Sequence, residues 1–187
     1  MTVHPTDAEL REQDTGDVAA AIAEGGEQRS RRPLIIGLAL MVLFVAVRLF
    51  VAQPMLTHGS SMEPTLHDGD ALLIEHVSYR LHDPAIGEIV VATAPDDGQS
   101  VVKRVVAVSG DTVGIEDGVL VRNGRAVSEP YADQTQMDGY FWGPVVVPAG
   151  QVFLLGDNRL ESHDSRAYGP VAVDAVQGRL LTRIWPL

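Results

Sequence analysis

The chain has 187 residues, a formal net charge of -11 and no cysteine. The excess of acid repels phosphate backbones and argues against nucleic acid as a partner, and the missing thiols exclude a disulfide framework, a thiolate zinc site and a cysteine nucleophile. Apolar residues make up 45% of the chain, enough for a core, while 18 glycines and 11 prolines against 5% aromatics point to short strands and many turns.

Taken in chain order, residues 1–32 read as an acidic tail. Asp7, Glu9, Glu12, Asp14, Asp17, Glu24 and Glu27 dominate it, and so polar a segment is expected to be disordered. Arg29, Arg31 and Arg32 then precede a nearly unbroken apolar run, interrupted in character by Gly37 and Arg48 alone. From Leu34 to Ala52 a helix would be roughly 28 Å long, close to the ~30 Å of a bilayer's hydrocarbon layer. Residues 33–52 are therefore expected to be a transmembrane anchor. A buried core helix would not need the basic flank. A cleavable secretory leader would not carry so long and acidic a start, and a cut after Ala52 would put Phe50 where a small residue is required. Arginines stay on the cytoplasmic side, so the tail is expected inside and residues 53–187 outside, in a single-pass arrangement at the cell membrane.

The outer segment is dense in strand signals. Ala71–Val77, Glu88–Thr93, Val101–Val108, Val119–Arg122, Val145–Val147 and Gln151–Leu155 are short Val-, Ile- and Leu-rich runs, and a last strand is expected over Arg179–Trp185. Turn clusters such as Asp68-Gly69-Asp70, Asp96-Asp97-Gly98 and Asn123-Gly124 separate them. Glu116-Asp117-Gly118 sits between Asp111–Ile115 and Val119–Val121 as a hairpin turn would. With no helical period of any length, the expected fold is mainly β: a compact antiparallel sheet or barrel-like domain behind one N-terminal transmembrane helix.

Three turn-rich stretches carry reactive or constrained groups: Gly59 to Leu66, Lys103-Arg104 with Ser109-Gly110-Asp111, and Gly156 to Gly169. Lys103 is the only lysine in the chain. Along an alternating strand it and Arg104 take opposite faces, so one of the two cations must point inward or lie at a rim. Arginine is costly to neutralise, whereas a desolvated lysine becomes a neutral amine, which makes Lys103 a candidate general base. Ser60 and Ser61 follow a glycine in a segment without strand or helix pattern, where a nucleophilic hydroxyl is accessible. The histidines lack metal-ligand spacing, and no metal or cofactor is expected. His163-Asp164 suggests a Ser–His–Asp triad, but sequence neighbours on extended chain point to opposite sides. Tyr140-Phe141-Trp142 suits either a lipid interface or packing. Asp96-Asp97 and Glu116-Asp117 read as solvated turns.

Ser61-Met62-x-Pro64-Thr65-Leu66, Lys103-Arg104-Val105-Val106 with Gly110-Asp111, and Gly156-Asp157-Asn158-Arg159-x-x-Ser162-x-Asp164-Ser165-Arg166 resemble the three signature segments of bacterial type I signal peptidases, a family of Ser–Lys dyad serine peptidases. They stand in the family's order behind an anchor of its kind. Gly87-Glu88-Ile89-Val90-Val91 resembles a fourth segment, with Glu where Asp is common, and the resemblance runs from about Arg31 to the C-terminus. It implies Ser61 as nucleophile and Lys103 as general base, with Ser162 bonded to the lysine nitrogen and orienting it. It also implies a structural Asp164–Arg166 pair, an Asp157–Arg104 pair across strands, and the Ser61 backbone N–H as one oxyanion donor. Some family members have a serine hydroxyl two residues before the nucleophile as second donor; here that position is Gly59, which leaves water or the Ser60 hydroxyl. Ser60, the rival nucleophile, does not directly precede Met62.

The implied substrates are secretory preproteins cut after small residues, with Ala-x-Ala typical, at the outer membrane surface. About nine residues separate the anchor's end from Ser61 and span at most ~32 Å, which keeps the site near the lipid. The peptide is expected to bind extended, in a β-addition mode. Two rivals are a soluble self-cleaving Ser–Lys peptidase of the repressor type, which the anchor and negative charge disfavour, and an inactive membrane-tethered β-domain, which would tolerate loss of Ser61 or Lys103. Oligomeric state is not legible.

Overall fold

The computed structural model describes residues 32–45, 52–132 and 137–186. The acidic tail up to residue 31 and residues 46–51 of the apolar run lie outside the described residues. Residues 32–45 form helix α1, and every large apolar side chain on it from Leu34 to Val45 is exposed. No helix among the described residues is long and apolar enough to cross a membrane. The expected anchor is thus described as a helix over only part of its length.

The β-domain is a unit of its own. Its larger sheet has seven strands in the order β1-β2-β11-β3-β4-β9-β10, and its smaller sheet four in the order β7-β6-β5-β8. The larger is built from β1 (Ala52–Leu56), β2 (Ala71–Glu75), β3 (Ile89–Thr93), β4 (Ser100–Val108), β9 (Gln151–Leu155), β10 (Val171–Ala172) and β11 (Val176–Trp185). The smaller comprises β5 (Thr112–Glu116), β6 (Val119–Arg122), β7 (Arg125–Ala126) and β8 (Trp142–Val146). All pairings are antiparallel, as expected of short strands joined by tight turns. One helical turn, α2 (Ser165–Tyr168), follows β9; the Asp164 carboxylate caps it by accepting from the Arg166 N–H.

Period-two alternation sorts the core into clusters. In β9, Val152 and Leu154 pack with Val90, Ala92 and Val105, while Phe153 and Leu155 face Val113, Ile115 and Leu120 of the smaller sheet. A third cluster joins Met62 and Leu66, from the segment around Ser61, to Leu72, Ile74, Ile89 and Val91. Burying two side chains of that caliber contributes about 1.5–3 kcal/mol each and fastens the Ser61 segment to the sheet.

Strands β6 and β9 fall on their expected residues, and β2, β3, β4, β5, β8 and β11 overlap theirs. Three strands were not expected. β10 and β7 are two-residue pairings, too short for a pattern. β1 begins at Ala52, inside the run assigned to the anchor, and pairs with β2 along the sheet's edge, where Pro54 is tolerated.

Candidate active site

The side chain of Lys103 reaches Ser61 from β4: its Nζ donates to Ser61 Oγ at 2.8 Å and to the Val102 carbonyl at 3.1 Å. Lys103 is 4% exposed, and burial holds its amine below the ordinary lysine range, although the Asp164 and Asp157 carboxylates pull the other way. Lys103 is thus a cation turned inward, as expected of one of the two, and Arg104 is buried as well. Its charge is matched by Asp157 in a bidentate pair, with Nε to Oδ1 at 2.9 Å and Nη2 to Oδ2 at 2.6 Å. Thr65 Oγ1 donates to the same carboxylate, so the Ser61 segment is tied to the strand that carries Lys103.

The loop after β9 closes the site. Asp164 and Arg166 form a second bidentate pair, at 2.8 and 2.9 Å. The Gly156 N–H donates to Asp164 Oδ2 at 3.1 Å, and the Asn158 N–H to the Ser61 carbonyl at 3.1 Å. Gly156 lies so close to Ser61 that a Cβ there would overlap the Ser61 carbonyl oxygen and Ser162 Oγ. Ser162 is therefore beside the nucleophile, but the expected bond to Lys103 is not formed: Ser162 Oγ is buried and has no hydrogen-bond partner among the described residues.

Ser60 is the group that sequence reasoning left open, and its hydroxyl donates to Glu161 Oε2 at 2.7 Å. That bond engages it away from Lys103, against its use as rival nucleophile or second oxyanion donor. Gly59 has φ +88, a left-handed conformation that L residues seldom adopt, and its N–H is held by Asp68 at 2.9 Å. A glycine there is thus a requirement of the turn. The Ser–His–Asp alternative is not assembled: His163 is exposed and faces Asp96 at 2.7 Å, while Asp164 serves Arg166. Among the aromatics, Trp142 packs on Phe153 with ring centroids 5.1 Å apart, and Phe141 is exposed. No metal-holding group of side chains occurs among the described residues.

A cleft of about 280 Å³ opens beside the dyad. It is lined by Met55 to Gly59 and Gln99 to Lys103, together with Ser61, Met62 and Leu66. A larger cavity of about 670 Å³ on the smaller sheet, around Phe141, Trp142 and Pro144, has Glu116 as its ionisable lining residue and includes neither Ser61 nor Lys103.

Sequence reasoning missed one group. Glu129 and Arg159 form an ion pair whose side chains are fully buried, with Nη1 to Oε2 at 2.7 Å and Nη2 to Oε1 at 2.8 Å. Arg159 stood within a motif, but nothing near Glu129 marked it as a buried carboxylate.

A family model described as signal peptidase, peptidase S26, matches residues 30–185. The probable signal peptidase I-1 of Synechocystis sp. is 39% identical, over 78% of this chain and 78% of the relative. The signal peptidase I of Mycobacterium tuberculosis is 31% identical, over 97% of this chain and 83% of the relative. A crystal structure of a signal peptidase I from Enterococcus faecalis is 32% identical, with a TM-score of 0.47 over 54% of this chain and 98% of that one. With its model matched over most of the chain, the protein belongs to the signal peptidase family, peptidase S26, and is a serine endopeptidase of that family.

Proposed function

We propose that this signal peptidase removes N-terminal signal peptides from secretory preproteins, cutting after small residues in Ala-x-Ala patterns at the outer membrane–water interface, with Ser61 as nucleophile and Lys103 as general base. The observation that carries this reading is the 2.8 Å bond between a buried amine and the Ser61 hydroxyl at the wall of an open cleft.

The neutral Lys103 amine takes the Ser61 proton as Oγ bonds to the scissile carbonyl carbon. The resulting ammonium protonates the leaving nitrogen as the C–N bond breaks. The freed amine then takes a proton from the water that hydrolyses the acyl ester, and returns it to Ser61. The Ser61 N–H supplies one donor to the oxyanion. Ser162, whose hydroxyl is unpartnered, is the group available to steady the lysine in its charged state.

Substrate binding follows from the edge of β4. That strand pairs with β3 from Ser100 onward but with β9 only from Arg104, so Ser100–Lys103 has one open edge beside the cleft. An extended peptide adds there as a strand. Met55, Leu56, Met62 and Leu66 give the cleft beside Ser61 its apolar lining, where the small side chains of an Ala-x-Ala site are expected to sit. The membrane location rests on α1, whose apolar side chains are exposed on all sides, and on Arg29, Arg31 and Arg32 before it, which keep the tail cytoplasmic.

The test is cleavage of a preprotein with an Ala-x-Ala site by the detergent-solubilised full chain beside its Ser61→Ala variant. The wild type is expected to cut after the second Ala, and the variant to lose at least about 10⁴-fold in kcat. Cleavage by the variant at the wild-type rate would remove Ser61 from the mechanism. The pH profile gives a second check. Burial lowers the Lys103 pKa, and the neutral amine is the active form. Activity should therefore rise with pH along a limb centred below the ordinary lysine value of about 10.4. A flat profile from acid to alkaline pH speaks against a lysine base.

A further inference from the structure

We infer that Glu129, together with Tyr131, is a positioning residue for the reaction: it sets the backbone of Gly156 to Asn158, and through it Ser61, relative to Lys103. The inference rests on the Ser61–Lys103 reading above.

Glu129 lies after β7, far from the dyad in sequence, and its carboxylate engages both terminal nitrogens of Arg159. This bidentate grip fixes the plane of the guanidinium. The remaining Nε–H is thereby aimed at the Gly156 carbonyl, which it meets at 3.0 Å. The strip from Gly156 to Asn158 is then held at three points: its first N–H by Asp164, its first carbonyl by Arg159, and the Asn158 N–H by the Ser61 carbonyl. Gly156 has no spare room on the Ser61 side, so a shift of the strip toward Ser61 must move it, and a shift away stretches the Asn158 N–H bond to the Ser61 carbonyl.

Tyr131 extends the same segment to the other half of the dyad. Its hydroxyl donates to Glu129 Oε1 at 2.8 Å, and its ring lies under the Arg104 guanidinium, 3.8 Å from the centroid. Arg104 is the sequence neighbour of Lys103 and the partner of Asp157. One short segment therefore references two guanidiniums, one steering the strip against Ser61 and one beside the base. A fully buried ion pair is no better for stability than well-packed apolar groups, so stability alone gives no reason for a charged pair here. A geometric role does, because an error of about 1 Å between reacting groups costs about 10²-fold in rate.

The experiment compares kcat, KM and Tm for Glu129→Gln, Tyr131→Phe and the double variant Glu129→Met with Arg159→Met, using the detergent-solubilised full chain. Glu129→Gln is expected to lower kcat about 10- to 100-fold with KM nearly unchanged. The double variant regains a wild-type Tm but keeps a kcat at least about tenfold low, because the Gly156 carbonyl has lost its donor. Recovery of kcat together with Tm would make the pair merely structural and overturn the inference. If neither Glu129 variant folds, Tyr131→Phe decides: a several-fold loss of kcat at unchanged Tm supports it, and a wild-type kcat overturns it. Ser61→Ala is run alongside. If it is inactive while the double variant is fully active, only the positioning role fails; if Ser61→Ala is active, the dyad reading itself fails.

Discussion

Lys103→Arg is expected to lower turnover by about a thousandfold or more, although the charge at the position is kept. The physical reason is protonation. A guanidinium does not release its proton near neutral pH, so it offers no lone pair to take the Ser61 hydroxyl hydrogen. The surroundings reinforce this. The two acids whose charge acts on Lys103, Asp157 and Asp164, are already committed to Arg104 and Arg166, and the side-chain nitrogen bonds Ser61 Oγ and the Val102 carbonyl, neither of them charged. A larger permanent cation there is left without a counterion, and some loss of stability should accompany the loss of rate. The check is steady-state cleavage of a preprotein by variant and wild type, with circular dichroism to confirm that both are folded. Turnover within tenfold of wild type would exclude Lys103 as the base.

Gly156→Ala is expected to lower kcat by about 100-fold and to destabilise the domain by about 1–3 kcal/mol. The new methyl has nowhere to go: it overlaps the Ser61 carbonyl oxygen and Ser162 Oγ, one of which is backbone. Either the strip after β9 retreats from the nucleophile or the nucleophile moves. Gly59 is a different case, since a Cβ there meets nothing within 4 Å and only its φ of +88 resists substitution. Kinetics with thermal melts test the first claim. A Gly156→Ala variant with wild-type kcat would mean that the strip yields without moving Ser61.

What the sequence made legible, and what it hid, divides along physical lines. Gln151–Leu155 and Val119–Arg122 announced themselves because a short apolar run between turn residues has few other solutions. Ser61 and Lys103 stood out because their chemistry is unusual for their setting: a lone lysine amid valines, a serine in patternless chain. β1 was hidden because an edge strand accepts Gln53 and Pro54 and because it begins on Ala52, the last residue of the apolar run. Glu129 was hidden for a deeper reason. Ser128-Glu129-Pro130-Tyr131 has the composition of a solvated turn, and its burial is decided by Arg159, which comes from a different part of the chain. The same holds for Ser60, engaged by Glu161 across a long sequence separation. Pairings of this kind exist only once the sheets have formed.

The open edge of β4 has a cost as well as a use. A row of unmatched amides and carbonyls recruits any extended chain, including the edge strand of a second copy, and so invites aggregation. Here the edge over Ser100–Lys103 lines the same cleft as Met55 to Gly59. A single extended chain needs only its own backbone to pair there, whereas the rim of a second folded sheet must also clear the Met55–Gly59 segment. The segment that lines the cleft thus also shields the edge, and an extended segment is expected to reach it more readily than the rim of a folded sheet.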